Sequence, residues 1–430
     1  MLVMEQLPSF EIAHLGDSRH VSPLADYGFI REDDRILYHT ELRDVRSYIE
    51  SGKEPPTFER AGARSRIYFD PKQVKAGIVT CGGLCPGLND VIRALVLSLY
   101  HHYGVREILG FQYGFEGLVG RYWHEPIQLG PERVSGIRGR GGSILKSSRG
   151  PQDVKEIVET LVRLKVNMLF TVGGDGTLKG ARAIAEEANR RGHEVAVVGI
   201  PKTIDNDILF VERSFGFVTA ASEARSVISC AHVEATGARN GVGLVKLMGR
   251  ESGFIAVNAT LASGDVNFCL IPEERFRLEA LLDALEKRLE HRGHAVVVVA
   301  EGAGQDLLEA AGGTDASGNR KLGDIGIYLR DTIRARFAES GTELNLKYID
   351  PSYTIRSLPA EASDAAFCML LGQHAVHAAM AGKTNVLISS WHGEFTHVPI
   401  DAAVTRRQKV DPNSWLWGSV LSSTGQGALE

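Results

Sequence analysis

The sequence predicts an α/β architecture of two doubly wound, mostly parallel sheets facing across a cleft, with an N-terminal extension. Three observations carry that prediction. Apolar runs of strand length recur at 76–80, 107–111, 168–172, 195–200, 241–247, 294–300 and 385–390. Helix-period stretches lie between several of them, and alternation of this kind folds into parallel sheets of Rossmann-like winding. Turns rich in Gly, Asp and Ser follow the strands at their carboxyl ends, the edge at which open α/β sheets bind ligands. A length of 430 residues accommodates two domains of ordinary size plus an appendage.

The first 71 residues form the appendage. They carry charge clusters, Arg31-Glu32-Asp33-Asp34-Arg35 and the stretch 41–50, and a turn or linker at Gly52-Lys53-Glu54-Pro55-Pro56. An arm packed on the body or on a neighbouring subunit is expected, without chemistry of its own. From Lys75 the pattern becomes regular. A strand over 76–80 ends in Cys81-Gly82-Gly83-Leu84-Cys85-Pro86-Gly87. A helix over 88–103 follows, with Leu88, Val91, Ile92, Leu95, Val96 and Leu99 on one stripe. Glycines after a first strand let backbone N–H groups approach phosphate oxygens at a helix N-terminus. This turn is neither a Walker loop nor GxGxxG, and by itself it reads as a tight turn. A strand over 107–111 leads into a loop at 113–118. The loop 139–149, GRGGSILKSSR, is basic and hydroxyl-rich; it can close over phosphates through Arg149, Lys146 and its serines, or be a solvated surface loop.

The densest chemistry lies in 167–207. A strand over 168–172 breaks into Gly173-Gly174-Asp175-Gly176-Thr177. A helix over 178–191 places Leu178, Ala181, Ile184 and Ala185 on one face, and a strand over 195–200 breaks at Pro201 into Lys202-Thr203-Ile204-Asp205-Asn206-Asp207. This βαβ unit gathers three carboxylates at strand ends. Phosphoryl transfer needs a metal holder, a base for the acceptor hydroxyl, cations and backbone donors. Asp175 between glycines suits Mg²⁺, which takes only one or two carboxylates, and Gly176 leaves room for donor phosphates. Alternate residues of an extended segment share a face, so Thr203, Asp205 and Asp207 are expected to point together, Asp205 as base and Asp207 orienting it or assisting the metal. The competing explanation, an Asx-rich turn capping the next helix, accounts for one aspartate but not for Asp175. Beyond the acidic loop come a helix over 219–235, strands at 241–247 and 294–300, an amphipathic helix at 279–292 and a polar loop at 347–356.

Composition excludes other classes. The chain is 43% hydrophobic with no apolar window near the ~20 residues of a membrane span. A net charge of −5 argues against a nucleic-acid binder. The N-terminal segment lacks a basic flank before an apolar core, and the five cysteines form no CxxC pair. A cytoplasmic protein with reduced thiols is expected.

Taken together, GGLCPGLND, GGSILKSSR, GGDGT, PKTIDND, MGRESG, the strand end at Glu301 and YIDPSYTIR make the chain resemble the ATP-dependent 6-phosphofructokinase family, in family order over roughly residues 75–405. The resemblance implies ATP as co-substrate, Mg²⁺ as cofactor and fructose 6-phosphate as acceptor. On the nucleotide side it implies Gly82, Arg149, Gly174, Gly176, Thr177 and Lys202, with Asp175 on the metal. Thr203, Asp205 and Asp207 become the catalytic loop, with Arg149 and Arg250 as catalytic cations. Met248, Gly249, Arg250 and Glu301 line the sugar-phosphate pocket. Tyr353 and Arg356 hold its phosphate, and Lys347 reaches it from an adjacent subunit of a homo-oligomer, a tetramer or at least a dimer. The implied domains are 1–71, the extension; 72–216 plus 355–405, nucleotide-binding; and 217–354 plus 406–430, fructose 6-phosphate-binding.

Two departures from the family pattern bear on these assignments. The pyrophosphate-dependent branch has lysine at Lys202 but tends to place aspartate at Gly176. The mixed pair seen here is similar to the plant and trypanosomatid ATP-dependent subgroup, and room at Gly176 favours ATP. Gly241 stands where many bacterial members carry an arginine directed at a neighbouring subunit, a departure from the bacterial type of regulation. A pyrophosphate-dependent phosphotransferase is the nearest alternative. A non-catalytic sugar-phosphate or nucleotide sensor should have lost Asp175, Asp205 or Asp207, and all three are present. Kinases of the NAD-kinase or diacylglycerol-kinase type share GGDGT but lack the TIDND and MGR loops.

Overall fold

Five of the apolar runs form the parallel centre of a nine-stranded sheet, in the spatial order Val386–Trp391, Ala196–Pro201, Met168–Gly173, Lys75–Thr80, Glu107–Phe111. The structure is a computed structural model that describes residues 7–25, 27–308, 312–314 and 320–429. Buried on both faces, these strands read as continuous apolar runs. The strand after Lys75–Thr80 lies on one side of it and the next, Met168–Gly173, on the other. The winding therefore reverses between these two, and a crevice opens at their carboxyl ends. The turns beginning at Cys81 and Gly174 flank that crevice.

The edges of the sheet are antiparallel. Glu394–Pro399 folds back on Val386–Trp391 through His392 and Gly393, both left-handed at φ 52° and 80°, as a two-residue hairpin requires. Thr57–Arg60 and then Arg35–Leu37 continue that edge, and Ile127–Gln128 closes the other. The extension is thus woven into the sheet. Phe58 is fully buried, its ring 4.5 Å from Phe10 and 5.4 Å from Trp391.

Beside Phe58, the Glu59 carboxylate accepts from Arg64 at 3.0 Å, from His397 Nδ1 at 2.9 Å and from the fully buried Lys383. Burial works against the Glu59 anion, but the His397 hydrogen bond and the Lys383 ammonium outweigh it and hold the carboxyl far below its usual range. Burial pushes His397 and His374 down to about 4. Both rings are neutral in the fold where the unfolded chain, with histidine near 6.5, takes up protons. The unfolded state then binds more protons than the native state, so stability falls as pH drops below 6.5 and keeps falling toward 4. Urea midpoints taken between pH 7.5 and 5 are expected to decline continuously, and a flat series would contradict this placement of the histidines.

The second sheet has four strands, all parallel, ordered Phe268–Leu270, His294–Ala300, Gly241–Leu247, Asn345–Ile349. Val242, Leu244, Val297 and Val299 pack with Leu281, Leu285, Leu329 and Ile333 from the helices Leu278–Arg292 and Ile325–Glu339. Here too the winding reverses, at Gly241–Leu247. Met248, Glu301 and Asp350 follow three neighbouring strands at their carboxyl ends.

The chain divides into two compact units. The first runs to Thr203 and takes in Ile208–Phe215 and Pro359–Arg406; the second holds Ile204–Asp207, Gly216–Leu358 and the chain from Arg407. Three local expectations change. The helix expected over 88–103 is α-helical over Leu88–Leu97 and widens into a π turn at Ser98–His102. The helix expected from Leu178 begins at Asp175, with Gly174 as its cap. The polar loop at 347–356 is an edge strand, Asn345–Ile349, followed by a short helix, Ser352–Ser357; with Leu346 alone buried in that strand, it shows no apolar run. No helix among the described residues is long and apolar enough to cross a membrane.

Candidate active site

In the first unit the chemistry starts where Met168–Gly173 gives way to Asp175–Arg190. Asp175 sits in the first turn, where the helix dipole favours a carboxylate. Lys179, one turn on, brings its Nζ to 3.0 Å from Asp175 Oδ2. The glycines around Asp175 serve different ends. A Cβ on Gly173 would overlap the Thr177 side chain, and one on Gly174 would stand 3.3 Å from the Lys202 carbonyl. A Cβ on Gly176 meets nothing within 4 Å. Space therefore opens beside Asp175 at a helix N-terminus.

The Cys81–Gly87 turn faces the same region. Gly82 is left-handed at φ 83°. Lys202 is buried, donates to the Gly83 carbonyl at 2.7 Å and lies 3.4 Å from where a Gly82 Cβ would stand. Arg149 Nη2 lies 3.2 Å from the corresponding point on Gly83. The basic loop is laced to this turn: Gly82 N–H donates to Ser148 O at 3.0 Å, and Ser147 Oγ donates to Gly82 O at 2.6 Å. Thr80 Oγ1 donates to Lys146 O at 2.6 Å, and Asn89 Oδ1 accepts from Ile144 N–H at 2.9 Å. The pinned loop is therefore no freely solvated segment. Gly82, Arg149, Gly174, Asp175, Gly176, Thr177 and Lys202 all belong to this unit. Sequence reasoning gave Tyr113 no role. It is left-handed at φ 60°, its hydroxyl accepts from Lys146 Nζ at 2.7 Å, and its carbonyl accepts from Ser148 Oγ. Nothing in a polar loop sequence signals that placement.

In the second unit the acidic loop is not extended, so the alternation expected of Thr203, Asp205 and Asp207 does not apply. Ile204 and Asp205 form a turn, and Asn206 is left-handed at φ 56°, a conformation that asparagine tolerates better than most residues. Thr203 ends the first unit, its carbonyl accepting from Ser214 Oγ. The Asp205 carbonyl accepts from Ser252 Oγ at 3.2 Å, which joins this loop to the Met248–Gly253 segment. Asp207 is buried, and its Oδ2 accepts from Arg407 Nη1 at 2.9 Å. That ion pair fixes the Asp207 carboxylate in place.

Gly249 is left-handed at φ 127°, and its carbonyl accepts from Gly302 N–H at 3.0 Å. A Cβ on Gly302 would overlap the Arg250 carbonyl, so only glycine lets the Glu301 strand end approach the Met248-Gly249-Arg250 turn. Burial raises the Glu301 carboxyl above its usual value, against the pull of Arg250, Lys246 and Arg356 and with the push of Asp350. Arg356 lies 4.5 Å over the ring of the exposed Tyr353. Arg250, Glu301, Tyr353 and Arg356 thus gather at one sheet edge. Lys347 is exposed on the edge strand. Sequence reasoning missed Lys246, whose Nζ bridges Asp324 at 3.0 Å and Asp350 at 2.8 Å. A lone cation inside the apolar run GVGLVKL was the available signal.

A glycine turn at a helix N-terminus beside a carboxylate, on one doubly wound sheet, and an acid–cation cluster on a second such sheet are the parts that a phosphotransferase acting on phosphorylated substrates needs. The chain belongs to the phosphofructokinase family, whose pattern it matches over residues 75–379. It is 49% identical to the ATP-dependent 6-phosphofructokinase of Borreliella burgdorferi, over 97% of this chain and 96% of that protein. It is 47% identical to the ATP-dependent 6-phosphofructokinase of Trypanosoma brucei brucei, over 92% of this chain and 82% of that one. Against ATP-dependent 6-phosphofructokinase 7 of Arabidopsis thaliana it is 49% identical, covering 96% and 84%. Among solved structures, the pyrophosphate-dependent phosphofructokinase of Marinobacter aquaeolei has the same fold, with a TM-score of 0.69 over 83% of this chain and 92% of that chain at 19% identity.

Proposed function

We propose that this protein transfers the γ-phosphoryl group of ATP to the 1-hydroxyl of fructose 6-phosphate, giving fructose 1,6-bisphosphate and ADP. The observation that carries the proposal is 47–49% identity, over more than nine-tenths of the chain, to proteins named ATP-dependent 6-phosphofructokinase. Asp205 accepts the proton of the 1-hydroxyl as its oxygen attacks the γ-phosphorus and the bond to the β–γ bridging oxygen breaks. Asp207 and Thr203 orient the loop. Gly82, Gly174, Thr177, Lys202 and Arg149 hold the donor phosphates, and Arg149 and Arg250 spread the developing charge. Met248, Gly249, Glu301, Tyr353 and Arg356 hold the sugar phosphate.

The residues also fit a Mg²⁺ ion. Asp175 lies beside the open space at Gly176. Mg²⁺ is commonly held by one or two carboxylates together with substrate phosphates and water. When bound, the ion neutralises charge on the β- and γ-phosphates.

Pyrophosphate as donor is a second reading, favoured by the Lys202 ammonium at the Gly83 turn. We further propose a cytoplasmic homo-oligomer, a tetramer or dimer, in which the exposed Lys347 serves a neighbouring copy's sugar-phosphate site. Purified protein with fructose 6-phosphate and Mg²⁺, given ATP or pyrophosphate in parallel, tests the function. Turnover with ATP is expected to exceed turnover with pyrophosphate; the reverse selects the second reading, and turnover with neither removes both.

A further inference from the structure

The acidic loop is held from a segment that the reaction leaves unused. Besides the Arg407–Asp207 ion pair, the N–H of Gln408 donates to the Asp207 carbonyl at 2.9 Å. Two residues on, the N–H of Val410 donates to Glu273 Oε1 at 2.8 Å. The same oxygen accepts from the N–H of Gly253, at the end of the sugar-phosphate turn, at 3.0 Å. Ser252 is wholly buried and completes the circuit through its 3.2 Å hydrogen bond to the Asp205 carbonyl. A closed ring results: Asp205, Ser252, Gly253, Glu273, Val410, Gln408, Asp207. Every member lies in the second unit.

The ring grips the loop on both sides of its left-handed residue. Asn206, at φ 56° and buried, separates the two aspartates, in a left-handed conformation that asparagine tolerates better than most residues. Carbonyls on both sides of Asn206 are claimed by donors from elsewhere in the ring. Asp207 is 6% exposed, and removing one partner of a buried, hydrogen-bonded ion pair is costly. Glu273 accepts two backbone N–H groups from segments far apart in sequence, leaving neither unsatisfied.

We propose that Arg407 and Glu273 are positioning residues for the transfer step. The 407–410 segment is a strap that fixes the Asp205–Asp207 loop to the Met248–Gly253 turn, so that the proton acceptor and the sugar-phosphate site keep one geometry. This rests on the assignment of Asp205 as base. Arg407 fixes the Asp207 side chain beside the ring, and because a misplacement near 1 Å can cost about a hundredfold in rate, losing that bond acts on turnover more than on binding.

The test is steady-state kinetics of full-length Arg407→Met, Arg407→Lys, Glu273→Ala and Glu273→Gln with ATP, Mg²⁺ and fructose 6-phosphate, together with thermal midpoints and calorimetric titration of fructose 6-phosphate. In Arg407→Met, kcat is expected to fall about 30- to 100-fold while KM and the titrated affinity for fructose 6-phosphate stay within about threefold. Arg407→Lys restores a cation and recovers most of that loss. Glu273→Ala lowers kcat at least about tenfold, whereas Glu273→Gln, which keeps an acceptor oxygen for both N–H groups, stays within about threefold. Unchanged kcat in Arg407→Met overturns the proposal. So does a loss shared equally by kcat, affinity and thermal midpoint, which marks the strap as structural only. A wild-type protein that does not phosphorylate fructose 6-phosphate removes the function and the strap's role together, while an active wild type with an equally active Arg407→Met removes the strap alone.

Discussion

Asp205→Asn is expected to lower kcat for fructose 6-phosphate phosphorylation by about 10²- to 10⁴-fold while leaving the affinity for fructose 6-phosphate within about threefold. The substitution changes one side-chain oxygen to an amide nitrogen, with no change in size. The bond from Ser252 Oγ to the Asp205 carbonyl belongs to the backbone and survives. So do the Arg407 and Gln408 bonds on Asp207. What disappears, under the proposed assignment of Asp205 as base, is the capacity to take a proton from the sugar hydroxyl, a contribution realised only in the transition state. Loss of such an interaction appears in kcat rather than in ground-state binding. Rate constants with saturating ATP, set beside a direct binding titration, separate the two. If turnover survives within a fewfold, another group accepts the proton.

The parts of this fold that the sequence displayed are those whose cause is local. Strands such as Met168–Gly173 and His294–Ala300 are buried on both faces and read as apolar runs. The glycines at 82, 173, 174 and 176 stand out because each answers a requirement of its own turn: a left-handed φ, an overlap with Thr177, a close carbonyl, an open space. Where the cause is remote, the sequence was silent or misleading. Thr57–Arg60 is a strand because Glu394–Pro399 offers it an edge, and Phe58 is buried because Phe10 and Trp391 meet it there. No periodicity in a four-residue segment announces that. Asn345–Ile349 was missed for a related reason, since an edge strand needs only alternate apolar positions. The acidic loop is the instructive error. An extended backbone was assumed there, and Asn206 turns left-handed instead. The donors that hold it there, Arg407 and Gln408, lie about two hundred residues away.

Gly176→Asp is expected to cut kcat/KM for ATP by about a hundredfold or more while leaving the fold intact. Stability is not at risk, because φ at this glycine lies outside the left-handed range, its Cβ meets nothing within 4 Å, and a carboxylate in the first turn of a helix is favourable. The cost falls on the donor. The new carboxylate enters the space beside Asp175 that the proposed function gives to a nucleotide's phosphates, and it places a second negative charge there. Two unit charges 4 Å apart interact by about 4 kcal/mol at the effective dielectric of a protein surface, nearly a thousandfold in an equilibrium constant. Pyrophosphate has no α-phosphate or nucleoside to fit past the obstruction, so its use should fall far less, and the ratio of ATP to pyrophosphate turnover should move by at least about tenfold. Losing both donors to the same degree would point to a general electrostatic insult at Asp175 and remove the steric basis for ATP preference. A selective loss of ATP, with an unchanged thermal midpoint, locates donor choice in the open space at this one glycine.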